Sequence, residues 1–259
     1  MTTIEVTRRI EVSAPALWSY LSTASGLSTW HADVVTGSLR EGLFIAKYPT
    51  LGAELPLKVE SQAPGRMVLL RAGQSQVSLS LESTDPATSL VRISHAGLEP
   101  TDDLGGFRSS WALALALLDL AATAHAGQSR SVLWFFERVP VPAALAHYYF
   151  STRQGLAAWL GEAAADIGPA GSQVKIRLSP ELTLTGEVLC HEPGRDLCFS
   201  WRELDSAALT FRTLPAGASE RQIAISYSSF SKAYHERPRP ELAAAMKRLS
   251  ERLRSVGRS

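Results

Sequence analysis

Residues 22–30 read STASGLSTW and residues 151–159 read STRQGLAAW, with Ser, Thr, Gly, Leu and Trp identical in register. Pro64-Gly65-Arg66 recurs as Pro193-Gly194-Arg195 at the same offset of 129 residues. Two separate motifs at one offset mark a duplication, and so long a period means whole domains rather than a stack of short repeats. Around the first motif, residues 10–30 align with 139–159 without a gap. VRISHAGL at 91–98 aligns with IAISYSSF at 223–230 after a small insertion. The chain of 259 residues is therefore expected to hold two domains, 1–126 and 130–259. The small polar stretch Ala126-Gly127-Gln128-Ser129 reads as the linker.

Each copy has the same order of signals. An alternating strand opens it, Ile4 to Val12 and Val132 to Val139. Two short helices follow, begun by Ser13-Ala14-Pro15 and by Val141-Pro142, where a proline's missing N–H costs little. The repeated phrase spans the break between them. Gly26 and Gly155 are expected to let the chain turn there. Leu27 with Trp30, and Leu156 with Trp159, are three apart and share a helical face. Six strands follow, roughly 34–39, 43–48, 54–62, 66–71, 76–83 and 89–95, with counterparts near 163–168, 173–178, 182–191, 195–201, 207–215 and 220–229. A long helix closes each copy, about Leu104–Ala124 and Pro240–Val256. Such a sheet buries one face alone, and the long helix is its natural cover. The expected class is α+β.

This order resembles the helix-grip fold of the START-like (SRPBCC) superfamily. The wording is similar to the family related to the C-terminal domain of the activator of heat shock protein 90 ATPase. FERVPVPAALAHYYFSTRQGLAAWLGEAAADIGPAGSQVKIRL and GEVLCHEPGRDLCFSW carry the likeness in the second copy. RRIEVSAPALWSYLSTASGLSTWHADV and VESQAPGRMVLLR carry it more loosely in the first. The resemblance implies two tandem helix-grip domains, each a curved antiparallel sheet gripping a long helix. It also implies a cavity between sheet and helix, where many members of the superfamily bind an apolar small molecule. The superfamily hosts carriers, receptors, aromatase/cyclases and co-chaperones on one scaffold, so the fold does not name the function.

Strand phase selects the inward faces. In the second copy these are Leu197, Phe199 and Trp201; Leu182, Leu184, Val188 and Cys190; Leu209 and Phe211; and Ile223, Ile225 and Tyr227. In the first they are Leu55, Leu57 and Val59; Val68 and Leu70; Val77, Leu79 and Leu81; and Val91, Ile93 and His95. Such walls either line a pocket or pack solid against the helix. Candidate ligand-binding residues are Trp30, Val68, Leu70, His95, Trp111 and Leu115 in the first copy, and Trp159, Phe199, Trp201, Phe211, Tyr227 and Met246 in the second. His95 and Tyr227 occupy equivalent positions and each offers a polar handle. His95 is also the one group placed to exchange protons inside a first-copy cavity, oriented by Asp119. Arg8 and Glu137, also equivalent, fall in the apolar phase of the first strands; a charge there implies a wet rim or a bulge.

The closing helices differ. Leu242, Met246, Leu249, Leu253 and Val256 form one stripe, opposite a basic side. WALALALLDLAATA is apolar almost all round, so the helix Trp111–Ala124 is expected to make a domain–domain or dimer contact.

Residues 1–128 hold 9 Lys and Arg against 12 Asp and Glu, and the remainder 17 against 13, with the basic excess after Ser231. That balance, and the lack of basic–aromatic alternation, speak against nucleic acid. No zinc-spaced His or Cys set, Gly-rich phosphate loop or Gly-x-Ser-x-Gly elbow occurs. No catalytic residues, cofactor or metal are therefore expected. Cys190 and Cys198 read as reduced core thiols. The alternating start and the lack of a spanning apolar run imply a soluble, cytoplasmic protein without a membrane role. The function expected is non-enzymatic binding of an apolar or aromatic small molecule between sheet and long helix. The alternatives are an aromatase/cyclase-like enzyme and a chaperone-partner or protein-interaction module.

Overall fold

The computed structural model describes residues 2–216 and 220–257. The chain divides into two compact units, Met1–Arg130 and Ser131–Ser259. Unit one runs β1 (Thr2–Ile10), α1 (Ala14–Ser22), α2 (Ala24–Ser28), β2 (Val34–Ser38), β3 (Leu43–Tyr48), β4 (Ala53–Ala63), β5 (Met67–Ala72), β6 (Ser75–Asp85), β7 (Thr88–Leu98) and α3 (Leu104–Ala124). Unit two runs β8 (Ser131–Val139), α4 (Ala143–Ser151), α5 (Arg153–Ala157), β9 (Glu162–Ala163), β10 (Gln173–Arg177), β11 (Thr183–Glu192), β12 (Asp196–Trp201), β13 (Ala207–Pro215), β14 (Arg221–Ser229), α6 (Lys232–His235) and α7 (Arg239–Val256). Each sheet has seven strands, ordered β1-β7-β6-β5-β4-β3-β2 and β8-β14-β13-β12-β11-β10-β9, with every neighbour antiparallel. The opening strand thus pairs with the last of its own unit. The Pro-Gly-Arg motifs close the β4–β5 and β11–β12 hairpins. Arg66 and Arg195 donate their N–H to the carbonyls of Ala63 and Glu192, and Gly65 and Gly194 sit at φ 74° and 77°. Proline followed by a left-handed glycine is the chemistry of a type II turn.

The repeated phrase makes the same bonds in both units. Thr23 and Thr152 cap α2 and α5, their hydroxyls accepting from Gly26 and Gly155 N–H at 2.9 Å. The same hydroxyls donate back to the carbonyls of Ser19 and Tyr148. Trp30 and Trp159 are almost wholly buried, and their indole N–H groups donate to the carbonyls of Tyr20 and Tyr149 at 3.0 and 2.8 Å. The glycines correct the expectation of a turn: both lie inside helices with ordinary φ. A Cβ on Gly26 would stand 2.2 Å from the carbonyl oxygen of Ser19, and one on Gly155 2.3 Å from that of Tyr148. Glycine is needed because two helix backbones touch.

Each long helix lies against the opening strand of its unit, α3 on β1 and α7 on β8. Arg8 pairs with Val91, inside the apolar phase and without a bulge at that point. It is accommodated by Asp119 of α3, which accepts from its Nε at 2.7 Å. At the equivalent place in unit two, Glu137 accepts from Arg254 of α7. The two units therefore build one strand–helix ion pair with opposite polarity. The α7 stripe is buried at Leu242, Met246, Leu249 and Leu253. On its basic side, Arg248 donates to the Trp159 carbonyl and Arg252 to the Tyr149 hydroxyl. In α3, Leu113 to Leu118 are buried without a break, so burial extends all round this helix. Among the described residues no helix is long and apolar enough to cross a membrane.

Candidate functional site

In unit one the inward face of β5–β7 is aliphatic: Val68, Leu70, Val77, Leu79, Val91 and Ile93 are each at most 4% exposed. Register aligns Leu70 with Val77 and Val77 with His95, so His95 belongs to this face. The Trp111 indole N–H of α3 donates to His95 Nδ1 at 3.2 Å. That nitrogen must then be unprotonated, and the neutral ring carries its hydrogen on Nε2. Nε2 donates to Ser75 Oγ at 2.9 Å, and Ser75 donates in turn to the Ala72 carbonyl. Burial lowers the His95 pKa, opposed in part by Asp102. Phe107 meets the ring edge-on at 4.9 Å.

His31 extends this group. Its ring stacks on Trp111 at 5.5 Å, and its carbonyl accepts from the Tyr48 hydroxyl. Burial, with the nearby Arg130 guanidinium, holds His31 down at about 4. Arg130 donates to the Ala32 carbonyl at 2.7 Å. At this same β3–β4 end lies Leu55, which pairs with Ala46 in the inward phase but is 38% exposed.

Unit two is built differently. Phe150, Trp159, Phe199, Trp201 and Phe211 interlock ring against ring at 4.7–6.3 Å. Tyr227 is buried among them, its hydroxyl donating to the Tyr234 carbonyl at 3.0 Å. Burial raises its pKa to about 12. Met246 belongs to the same core. Cys190 is a correction: a bulge between Val188 and Cys190 shifts the phase, so Cys190 pairs with Cys198 on the opposite face and His191 takes the inward place beside Leu197. The Thr210 hydroxyl donates to Cys198 Sγ at 3.2 Å.

The structure thus brings His95 and Trp111 together with His31, while Trp30 contacts His31 at 5.7 Å between ring centres. Val68, Leu70 and Leu115 are buried apolar wall. Asp119 does not orient His95: its carboxylate binds Arg8, and both His95 nitrogens are engaged elsewhere. Ser75 and Phe107 escaped the sequence reading. Ser75 stands two residues before Val77 and shares its face, a signal period two could have found. A groove of about 610 Å³ lies outside the expected place, on unit two between α5 and β9–β11. It is polar, lined by Arg153, Glu162, Lys175, Arg177 and Thr183, and by none of the expected residues.

Two curled seven-stranded antiparallel sheets, each with a long helix on its opening strand, define a tandem helix-grip α+β protein. No family model and no curated protein matches the chain. Among solved structures it is similar to the Aha1 dimer from Colwellia psychrerythraea, at 21% identity over 49% of this chain and 100% of that one, with a TM-score of 0.43. It is also similar to the di-domain ARO/CYC StfQ from the steffimycin biosynthetic pathway, at 10% identity over 99% and 100%, TM-score 0.43. A third is the di-domain ARO/CYC BexL from the BE-7585A biosynthetic pathway, at 12% identity over 98% and 99%, TM-score 0.41.

Proposed function

We propose that unit one binds an apolar or aromatic small molecule between its sheet and α3, and that unit two is a filled copy with a structural role. The observation that carries this reading is the contrast between the two inward faces. Unit two closes its own with interlocked aromatic rings. Unit one lines its own with aliphatic side chains and a few convergent polar groups, and leaves Leu55 uncovered at one end. Ligand sites are mostly apolar with a few placed polar atoms. Trp111 and His31 offer flat faces to an aromatic ring, and Ser75 Oγ, which His95 holds in place, offers a further acceptor lone pair. His95 acts by holding Ser75 and Trp111 in place and not as a proton carrier, because both of its nitrogens already have partners. This favours binding over the aromatase/cyclase reading, which needs a free acid or base facing the ligand.

Thermal-shift screening of the full chain against aromatic, polyketide and lipid libraries tests this, since a ligand selective for the folded state raises the melting temperature. A hit should lose its shift in Val77→Phe, which fills the unit-one face, and keep it in Lys175→Ala, in the polar groove of unit two. A shift that survives Val77→Phe, or is lost in Lys175→Ala, overturns the reading.

A further inference from the structure

Outside this site, two imidazoles of unit two share an unusual environment. The rings of His147 on α4 and His191 on β11 stand 5.2 Å apart, inclined by 23°. His191 Nδ1 lies 2.8 Å from the Gly168 carbonyl, which only accepts, so that nitrogen carries the hydrogen. His147 Nδ1 lies 3.2 Å from Ser151 Oγ, whose own hydrogen goes to the His147 carbonyl at 2.8 Å. Ser151 must therefore accept, and His147 Nδ1 carries the hydrogen as well. Both Nε2 atoms are left as bare lone pairs. Both are buried, and neither has a hydrogen-bond partner among the described residues. A buried acceptor without a partner is costly, and this pair leaves two.

We propose that His147 and His191 bind an imidazole-seeking transition-metal ion through their Nε2 atoms. Ligating histidines hold their second ring N–H on a carbonyl or a similar acceptor, which fixes the tautomer and aims the other nitrogen; Gly168 and Ser151 do this. The rings lie near parallel at 5.2 Å between centres, so bonds of about 2.0–2.1 Å to one ion require them to tilt until both Nε2 atoms face it. No set of three or more His, Cys, Asp or Glu side chains suited to a metal occurs among the described residues, so solvent completes the coordination. A two-nitrogen site of this kind is exchangeable and not a folding core.

The test uses the full chain, freed of metal, titrated in separate arms with Zn²⁺, Co²⁺ and, under reducing conditions, Cu⁺. At saturation at least one ion should raise the melting temperature by about 5 °C. His147→Gln and His191→Gln should each abolish the rise, whereas His235→Gln should keep it. In the unsubstituted chain, long-range proton–nitrogen NMR should show two Nε2 signals moving together on titration, independently of how the variants fold. The proposal is overturned if no ion shifts the melting temperature, if both Gln variants retain the full response, or if the Nε2 signals stay in place because only water occupies the site.

Discussion

At the residue scale, Gly26 and Gly155 are fixed by space. Alanine at either would drive a methyl group into the backbone of the preceding helix, where no side chain can move aside. Gly26→Ala or Gly155→Ala should destabilise its unit by about 1–3 kcal/mol, read from denaturant midpoints. Gly65→Ala meets open space but a left-handed φ, and should cost about 1–2 kcal/mol. The sequence marked both kinds of glycine, but only coordinates distinguish crowding from backbone shape. The buried histidines set the acid limit. His147 titrates at about 4 in the folded chain, against an ordinary value of 6.5. Between these values the unfolded chain takes up a proton that the folded chain refuses. Its contribution is intact above about pH 6.5, falls as pH drops towards 4, and is flat below. The loss is about 3 kcal/mol for this group, and His31 acts in the same direction. Urea titrations from pH 7 to 4 should show the decline, and His147→Gln should make it shallower, with the His31 share remaining. A stability independent of pH across that window would refute the assignment.

Element boundaries were largely legible in the sequence, because strand period and Pro-Gly turns leave little freedom. α3 spans the expected Leu104–Ala124, and β10, β12 and β13 lie within a residue of their expected limits. The loss of phase in β11 has a local cause. Period-two reasoning carries a phase forward until a bulge breaks it, and nothing at Val188–Cys190 announces one. Cys190 was therefore placed inward and His191 missed. β9 is only Glu162–Ala163, because the residues after it leave the sheet. Arg8 shows the reverse case: the phase was right, and the charge is met by Asp119 on another element. Arg8→Glu should destabilise unit one by about 1–2 kcal/mol through the lost pair and new repulsion. Arg8→Glu combined with Asp119→Arg should recover most of it, since unit two already uses that polarity. A double mutant no more stable than the single would refute the pairing, and thermal melts of the three chains decide it.

At the scale of the whole molecule, the duplication was legible from a constant offset, whereas the difference between its copies was not. Both inward faces read as large apolar side chains. Whether such side chains interlock or leave room depends on angles between rings, which a linear pattern does not encode. The His95–Trp111–His31 group likewise joins β7, α3 and the segment after α2, so no window of sequence contains it. The opposed ion pairs also bear on how the two halves persist as different halves. Tandem repeats within one gene are prone to overwrite each other. Copying the first strand of one half into the other would set Glu against Asp119, or Arg against Arg254. Exchanging the strand without its helix would thus place like charges face to face, so each strand is matched to the helix of its own half.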